Sequence, residues 1–426
     1  MDIWRITGER KLEGSCTVQG SKNATLPVMA ASLICPAGTE LFNVPQLSDV
    51  DSALRILRHL GCRAYQQGNS VYIDSTAISD STIPEHLMEE MRSSVFFLGA
   101  LTARCGEARL SLPGGCRLGK RPIDLHLDAL RRMGAEIEEN GGEILCRARQ
   151  LTGCEITLGF PSVGATENIM LAACAAKGST VIRGAAREPE ISALSDYLIS
   201  LGAEITGAGT SSITIEGFKP RKQTHFRIIS DRIAASTLMC CTAAAGGRVE
   251  LRDVVPEHFS TVTDVLAGCG CDMIRTGDTL TVSAGGRLSS PGYFSTEPYP
   301  GFPTDAQPVL MAALLKASGT TYIREKIFEN RFRQAAELRK LGADIETDGN
   351  LACIKGRERL YGSRLEATDL RGGASMVVAA LGAEGETVIC DSGHISRGYE
   401  ELDKVLCSLG ADIKATPHNT SAAADG

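Results

Sequence analysis

The sequence predicts an α/β protein of two pseudo-symmetric domains, each assembled from three repeats. Three observations carry that prediction: a glycine-plus-strand motif that recurs six times, a second and nearly all-apolar helix in each repeat, and an unmatched strand at the N-terminus. The motif reads LGCRAY, MGAEIE, LGAEIT, CGCDMI, LGADIE and LGADIK, with its glycines at Gly61, Gly134, Gly202, Gly270, Gly342 and Gly410. Successive copies lie 68 to 73 residues apart, a period that marks one repeated supersecondary unit. At 426 residues the chain also exceeds what a single ordinary core supports.

Each repeat has the same physical grammar. Amphipathic stretches such as DVDSALRILRHL and PIDLHLDALRRM precede the glycine, which can take the left-handed conformation that ends a helix. Two strands joined by a turn follow, as in ADIETDGNLACIKG. Earlier in each repeat come ATLPVMAASLI, SVFFLGALTA, ATENIMLAACAA, IAASTLMCCTAAA, AQPVLMAALLKA and ASMVVAALGA. A helix apolar on every face is a buried helix. The sixth repeat stops after ADIKAT without its last strand, and IWRITGERKLEGSCTVQG at the start of the chain offers a spare one. The expected domains are therefore 22–229 and, as a second body, 1–21 with 230–415. The small polar tail 416–426 is expected to be disordered.

Composition narrows the function. A net charge of −7 argues against nucleic acid as the main partner. The N-terminus MDIWRITGERKLEG lacks the apolar run of a signal peptide. No apolar run approaches the ~18 residues of a membrane span. The 15 cysteines are odd in number and irregularly spaced, which suits reduced thiols in the cytoplasm. No CxxC or HExxH run occurs and the seven histidines do not cluster, so no structural metal site is expected.

The buried helices begin at comparable points: Lys22, Arg92, Ser162, Arg232, Asp305 and Arg371. The positive end of a helix dipole favours acidic or hydroxyl residues, yet four of these six are cations. Free N–H groups at helix starts bind anions, and added cations strengthen such a site. Each cation taken singly reads as a surface charge. Four at one repeat position point to a multiply anionic ligand, held between the domains if the helices of both point the same way.

At this point the residues carry a family resemblance. GSKNATLP (20–27), LPGGCRLGKRPIDLH (112–126), PSVGATEN (161–168), FPTDAQ (302–307), IFENRF (327–332), TDLR (368–371) and SRGYE (396–400) resemble the UDP-N-acetylglucosamine 1-carboxyvinyltransferase family. The resemblance runs to about residue 415 and implies two inside-out α/β-barrel-like domains with an active-site cleft between them. It also implies transfer of the enolpyruvyl group of phosphoenolpyruvate to the 3-hydroxyl of UDP-N-acetylglucosamine. That is the first committed step of peptidoglycan synthesis, and it needs no cofactor.

The resemblance implies roles for individual residues. Cys116 stands between glycines and the cations Arg117, Lys120 and Arg121, a setting that tunes a thiol and suits a closing lid. Its family counterpart is the general acid that protonates the methylene carbon, and it can form a covalent adduct. Asp305, by itself an ordinary helix cap, would lie near the attacking sugar hydroxyl, with Asn23 on the same sugar. Lys22, Arg121 and Arg397 resemble the phosphate clamp. Arg331 and Arg371 resemble the pair that grips the carboxylate, using the guanidinium fork. Arg92, Arg121, Pro122, Ile123, Asp124, Leu125, Ser162, Val163 and Ile327 would cradle the UDP-sugar. His126 and His394 are read as structural. The chain departs from common family spellings at Pro308 and in RFRQAAEL, beside Asp305 and Arg331 but not at them. Two rivals remain: the sister enzyme of the shikimate pathway, which has no uridine to read, and a non-catalytic paralogue that binds UDP-sugar. The GGCRLGKRPIDLH loop opposes the first, and the presence of Cys116, Asp305 and Lys22 opposes the second.

Overall fold

The computed structural model describes residues 2–111, 123–219 and 223–417. The chain forms two compact units, Gly20–Ile229 and the residues up to Gln19 together with those from Ser230 on. The strand Asp412–Pro417 pairs Thr416 with Ile3 and Pro417 with Asp2, so ordered structure runs two residues into the expected tail. Residues 418–426 lie outside the described residues.

The first unit is built around three buried helices, Lys22–Ala31, Phe96–Cys105 and Val163–Ala173. The middle one packs on both others. Three four-stranded sheets belong to them. In the sheet Glu155–Thr157, Ser179–Arg183, Ser212–Glu216, Glu204–Thr206, the first pair is parallel and the rest antiparallel. Along its strand Ser212–Glu216, Ile213 and Ile215 are buried while their neighbours are not, the alternation of a sheet with one face on the core. The opening strand of the first repeat's sheet, Thr224–Arg227, comes from the far end of the unit and runs parallel to Gly38–Phe42.

The second unit repeats the plan with helices Arg232–Ala245, Gln307–Ala313 and Leu370–Leu381, all in mutual contact. One spare N-terminal strand was expected and two exist. Asp2–Thr7 lies between Glu386–Asp391 and Asp412–Pro417, antiparallel to both. That is the place which Ser212–Glu216 holds in its own repeat. Leu12–Thr17 instead runs parallel to Gly247–Arg252 and opens the fourth repeat's sheet. The break falls at Gly8–Lys11, where Glu9 has φ 60°. Among the described residues no helix is long and apolar enough to cross a membrane.

The six motif glycines all have φ between 90° and 104°, a region open to glycine at little cost. In five repeats the residue after the glycine donates its N–H to a carbonyl in the last helical turn, as Ala135 does to Leu130 at 3.0 Å and Ala411 to Leu406 at 3.0 Å. This closes the helix end.

A buried polar network ties the first unit's core together. Asn168, fully buried, accepts from the Gly99 N–H at 2.6 Å and donates to the Val95 carbonyl at 2.9 Å. Its Nδ2 also lies 2.9 Å from Nδ1 of buried His126. Burial pushes His126 down to about 4, so its ring is neutral at pH 7 and Nδ1 accepts. The structural reading of His126 fits this arrangement. A Cβ added at Gly99 would stand 2.3 Å from Asn168 Oδ1 and 2.4 Å from its carbonyl oxygen.

Two stability predictions follow from that network. Gly99→Ala forces these helices apart and is expected to cost about 1–3 kcal/mol in urea unfolding; an unchanged midpoint would refute the close approach. His126 binds its proton more readily unfolded than folded, so its contribution is complete above pH 6.5 and is lost as pH falls toward 4. Wild-type protein should lose about 2 kcal/mol between pH 7 and pH 5 that His126→Gln does not. Parallel pH slopes for the two proteins would be the contrary result.

Candidate active site

Lys22 is the first residue of its helix, and Ser21 caps that helix by accepting from the Ala24 N–H at 3.3 Å. A cation here opposes the helix dipole. It is offset by Asp49, whose Oδ2 lies 2.8 Å from Lys22 Nζ, with side chains only 12% and 3% exposed. Asn23 follows, half-buried. In the same unit Ser162 is the N-cap of Val163–Ala173 and accepts from the Ala165 N–H at 3.3 Å. The hydroxyl expected to touch a sugar therefore also has a structural partner. Ile123, exposed Asp124 and half-buried Leu125 begin the helix Asp124–Arg132. Arg92 opens the short 3-10 helix Arg92–Val95. Cys116, Arg117, Lys120, Arg121 and Pro122 lie outside the described residues.

In the second unit the structure brings three of the expected residues into direct contact. Asp305 Oδ1 lies 2.8 Å from Arg331 Nη2, and its Oδ2 lies 3.1 Å from Arg371 Nη2. Both guanidiniums are buried, while the carboxylate is partly open at 29% exposure. Asp305 does not itself start a helix. It sits in the turn before Gln307–Ala313, where Pro308 occupies the first helical turn. Arg331 also donates to the Thr304 carbonyl from Nε and Nη2, at 3.3 and 3.1 Å.

Arg371 is held from its other side. Its Nη1 donates to Tyr399 Oη at 3.1 Å, and Tyr399 Oη lies 2.9 Å from Thr237 Oγ1. Burial works against the Arg371 charge, but Tyr399 and Asp305 outweigh it and raise the guanidinium above its ordinary value. Arg397, half-buried, closes the short 3-10 helix Ile395–Arg397. That turn is pinned by Asp391, which accepts from the N–H groups of His394 and Ile395 at 2.8 and 3.1 Å. Gln19 secures its far end by accepting from the Glu400 N–H at 2.8 Å and donating to the Gly398 carbonyl at 3.2 Å.

The loop bearing Ile327 depends on a residue that sequence reading missed. Glu325, 1% exposed, accepts from Thr296 Oγ1 at 2.8 Å, Thr304 Oγ1 at 3.0 Å and the N–H groups of Ile327 and Phe328 at 2.8 and 3.0 Å. It fixes the residue before Asp305 and the start of the loop leading to Arg331 with one carboxylate. Asp49 and Tyr399 were likewise not singled out, although Tyr399 lies inside the quoted SRGYE motif. Among the described residues no group of three or more His, Cys, Asp or Glu side chains is disposed to hold a metal.

Comparison with known proteins bears on this constellation. A profile of the family described as EPSP synthase (3-phosphoshikimate 1-carboxyvinyltransferase) matches residues 6–406. The chain is 46% identical to UDP-N-acetylglucosamine 1-carboxyvinyltransferase 2 of Caldanaerobacter subterraneus subsp. tengcongensis, over 97% of this chain and 99% of that protein. It is 45% identical to UDP-N-acetylglucosamine 1-carboxyvinyltransferase 1 of Carboxydothermus hydrogenoformans, over 97% and 98%. The crystal structure of the enolpyruvyl transferase NikO from Streptomyces tendae superposes with a TM-score of 0.88 at 27% identity, covering 97% of this chain and 99% of that one. With a profile spanning nearly the whole chain and relatives this similar along their full length, the chain belongs to the EPSP synthase family of carboxyvinyltransferases, among its UDP-N-acetylglucosamine members.

Proposed function

We propose that this chain transfers the enolpyruvyl group of phosphoenolpyruvate to the 3-hydroxyl of UDP-N-acetylglucosamine, releasing phosphate, as the first committed step of peptidoglycan synthesis. The observation that carries the reading is 46% identity along 97% of the chain to a relative of that name; Lys22, Asn23, Asp305, Arg331, Arg371 and Arg397 are present in the family-like motifs of the sequence. No disulfide joins the described cysteines, which suits the reducing cytoplasm.

In the proposed reaction Cys116 gives its proton to the methylene carbon while the sugar oxygen bonds to the neighbouring carbon. Asp305 accepts the hydroxyl proton, a contribution of roughly 10²–10⁴-fold for a positioned base. The resulting phospho-ketal then loses phosphate together with a proton of its methyl group, which restores the double bond. Lys22, Arg121 and Arg397 take the charge that grows on the leaving phosphate. Arg331 and Arg371 offer donors in a planar fork that matches a carboxylate; their hold on Asp305 is the same chemistry. Arg92, Pro122, Ile123, Asp124, Leu125, Ser162, Val163 and Ile327 receive the nucleotide sugar.

Phosphate release from phosphoenolpyruvate checks this, with UDP-N-acetylglucosamine in one tube and shikimate 3-phosphate in another. Release is expected with the nucleotide sugar alone. Cys116→Ala should abolish it, and Asp305→Asn should lower kcat by roughly 10²–10⁴-fold. Release with shikimate 3-phosphate would move the assignment to the sister activity. Silence with both, despite binding of the nucleotide sugar, would mark a regulatory protein instead.

A further inference from the structure

The helix Val163–Ala173 is buried along its length, yet it carries three successive polar residues, Thr166, Glu167 and Asn168, each 0% exposed. Two of them are fully engaged. Thr166 Oγ1 donates to the Ser162 carbonyl at 2.8 Å and accepts from the Ala186 N–H at 3.0 Å. Asn168 binds Gly99, Val95 and His126 as described above. Glu167 differs: among the described residues neither of its carboxyl oxygens has a hydrogen-bond partner.

A buried, unpartnered carboxylate costs far more than a neutral acid in the same place. The charged groups that act on Glu167 make ionisation still harder. They are Glu190, 2% exposed near the start of the helix Pro189–Ser200, and Glu188, the N-cap of that helix. Burial first, then these two, push the Glu167 carboxyl well above the usual carboxylate range. Among the described side chains no opposing charge acts on Glu167; the elements packed on its helix include the 3-10 helix Arg92–Val95 as well. The helix Asp124–Arg132 presents His126, which is neutral. The strands Ser179–Arg183 and Ser212–Glu216 turn Ile182, Ile213 and Ile215 inward, and Phe96–Cys105 contributes Phe97 and Leu98. Leucine would fill such a position without cost, so stability does not account for a glutamate there.

We propose that Glu167 is a positioning residue of the enolpyruvyl-transfer site: by keeping a proton, it lets the acidic segment 185–190 lie against its helix and so seats the helix that packs on the one beginning at Lys22. The proposal rests on the function proposed above. The helix Pro189–Ser200 does pack on Lys22–Ala31, and Tyr197 Oη lies 3.0 Å from Thr39 Oγ1, on the strand after the Lys22 helix. Thr166 holds the 185–190 segment directly, and the same helix is capped by Ser162 and continues through Val163. Loss of the Glu167 proton would set three carboxylates against one another at this junction.

The sign of the linkage makes the proton measurable. Glu167 sits above its ordinary 4.5 when folded, so between 4.5 and its own value the folded state holds a proton that the unfolded state has released. Rising pH then favours unfolding, by about tenfold in the equilibrium constant per pH unit. Glu167→Gln keeps the shape and is permanently neutral, and Glu167→Met is a second neutral variant should Gln fold poorly. Urea unfolding in steps from pH 5 upward should give a wild-type-to-variant ratio of unfolding constants that climbs with pH, by up to about tenfold per unit, and levels off where the folded protein loses the Glu167 proton. Contributions common to both proteins, His126 included, cancel in that ratio. Phosphate release by the wild type should show a fall in kcat at the pH where that ratio levels off, and the variants should lack it. A flat unfolding ratio overturns the proton, and superposed rate profiles overturn the positioning role. If wild-type protein releases no phosphate at any pH, the functional reading and the positioning role fail together. The unfolding ratio still separates that failure from loss of the proton.

Discussion

Both units depend on burying helices that have no polar face. Such a helix satisfies its own backbone groups along its length and leaves them open only at its ends. The sequence around it then has to supply sheets with one apolar face, and each repeat does so with four strands. Polar chemistry has little room along the helix, so it collects at the starts: Lys22 and Arg232 as first residues, Arg371 as second, and Asp305 in the turn before Gln307.

Cations at helix starts work against the dipole, and the fold offsets three of them locally. Lys22 has Asp49 at 2.8 Å, and Arg371 has Asp305 and Tyr399. The Arg232 guanidinium stands 5.6 Å from the Tyr299 ring centroid. The residue before Arg232, and the one two before Arg371, is an aspartate that takes the helix N–H groups itself. Asp231 accepts from Ile233 and Ala234 at 2.8 and 3.0 Å, and Asp369 accepts from Arg371 and Gly372 at 3.1 and 3.0 Å. Capping thus falls to a neighbouring aspartate and not to the arginine itself.

This division explains what could be read from sequence. The motif glycines and the all-apolar helices are local requirements of backbone conformation and burial, so their period showed the repeats before any contact was known. The cations at equivalent repeat positions were visible for the same reason. What stayed hidden depends on pairing between distant residues. Asn168 meets His126 across 42 positions and Gly99 across 69, and nothing in the local pattern announces either. The second N-terminal strand was missed because LEGSCT has too little alternation to read as one. Asp49 was read as part of an amphipathic helix, which it is; its pairing with Lys22 needs the fold. The roles of Cys116 and the nucleotide-sugar residues came from family motifs, because an isolated cysteine or leucine carries no such signal.

Two buried glutamates show how burial alone fails to assign a role. Glu325 and Glu167 are equally hidden, at 1% and 0% exposure. Glu325 receives four hydrogen bonds, two from hydroxyls and two from backbone N–H groups, and its effect is to lock two loops beside Asp305. Replacing it would release those loops. Glu167 receives none and faces two further acids. Its placement is favourable only with a proton attached, which makes its contribution depend on pH. The difference lies entirely in the donors each site supplies, and it separates a carboxylate that organises structure from a carboxylic acid that conditions it.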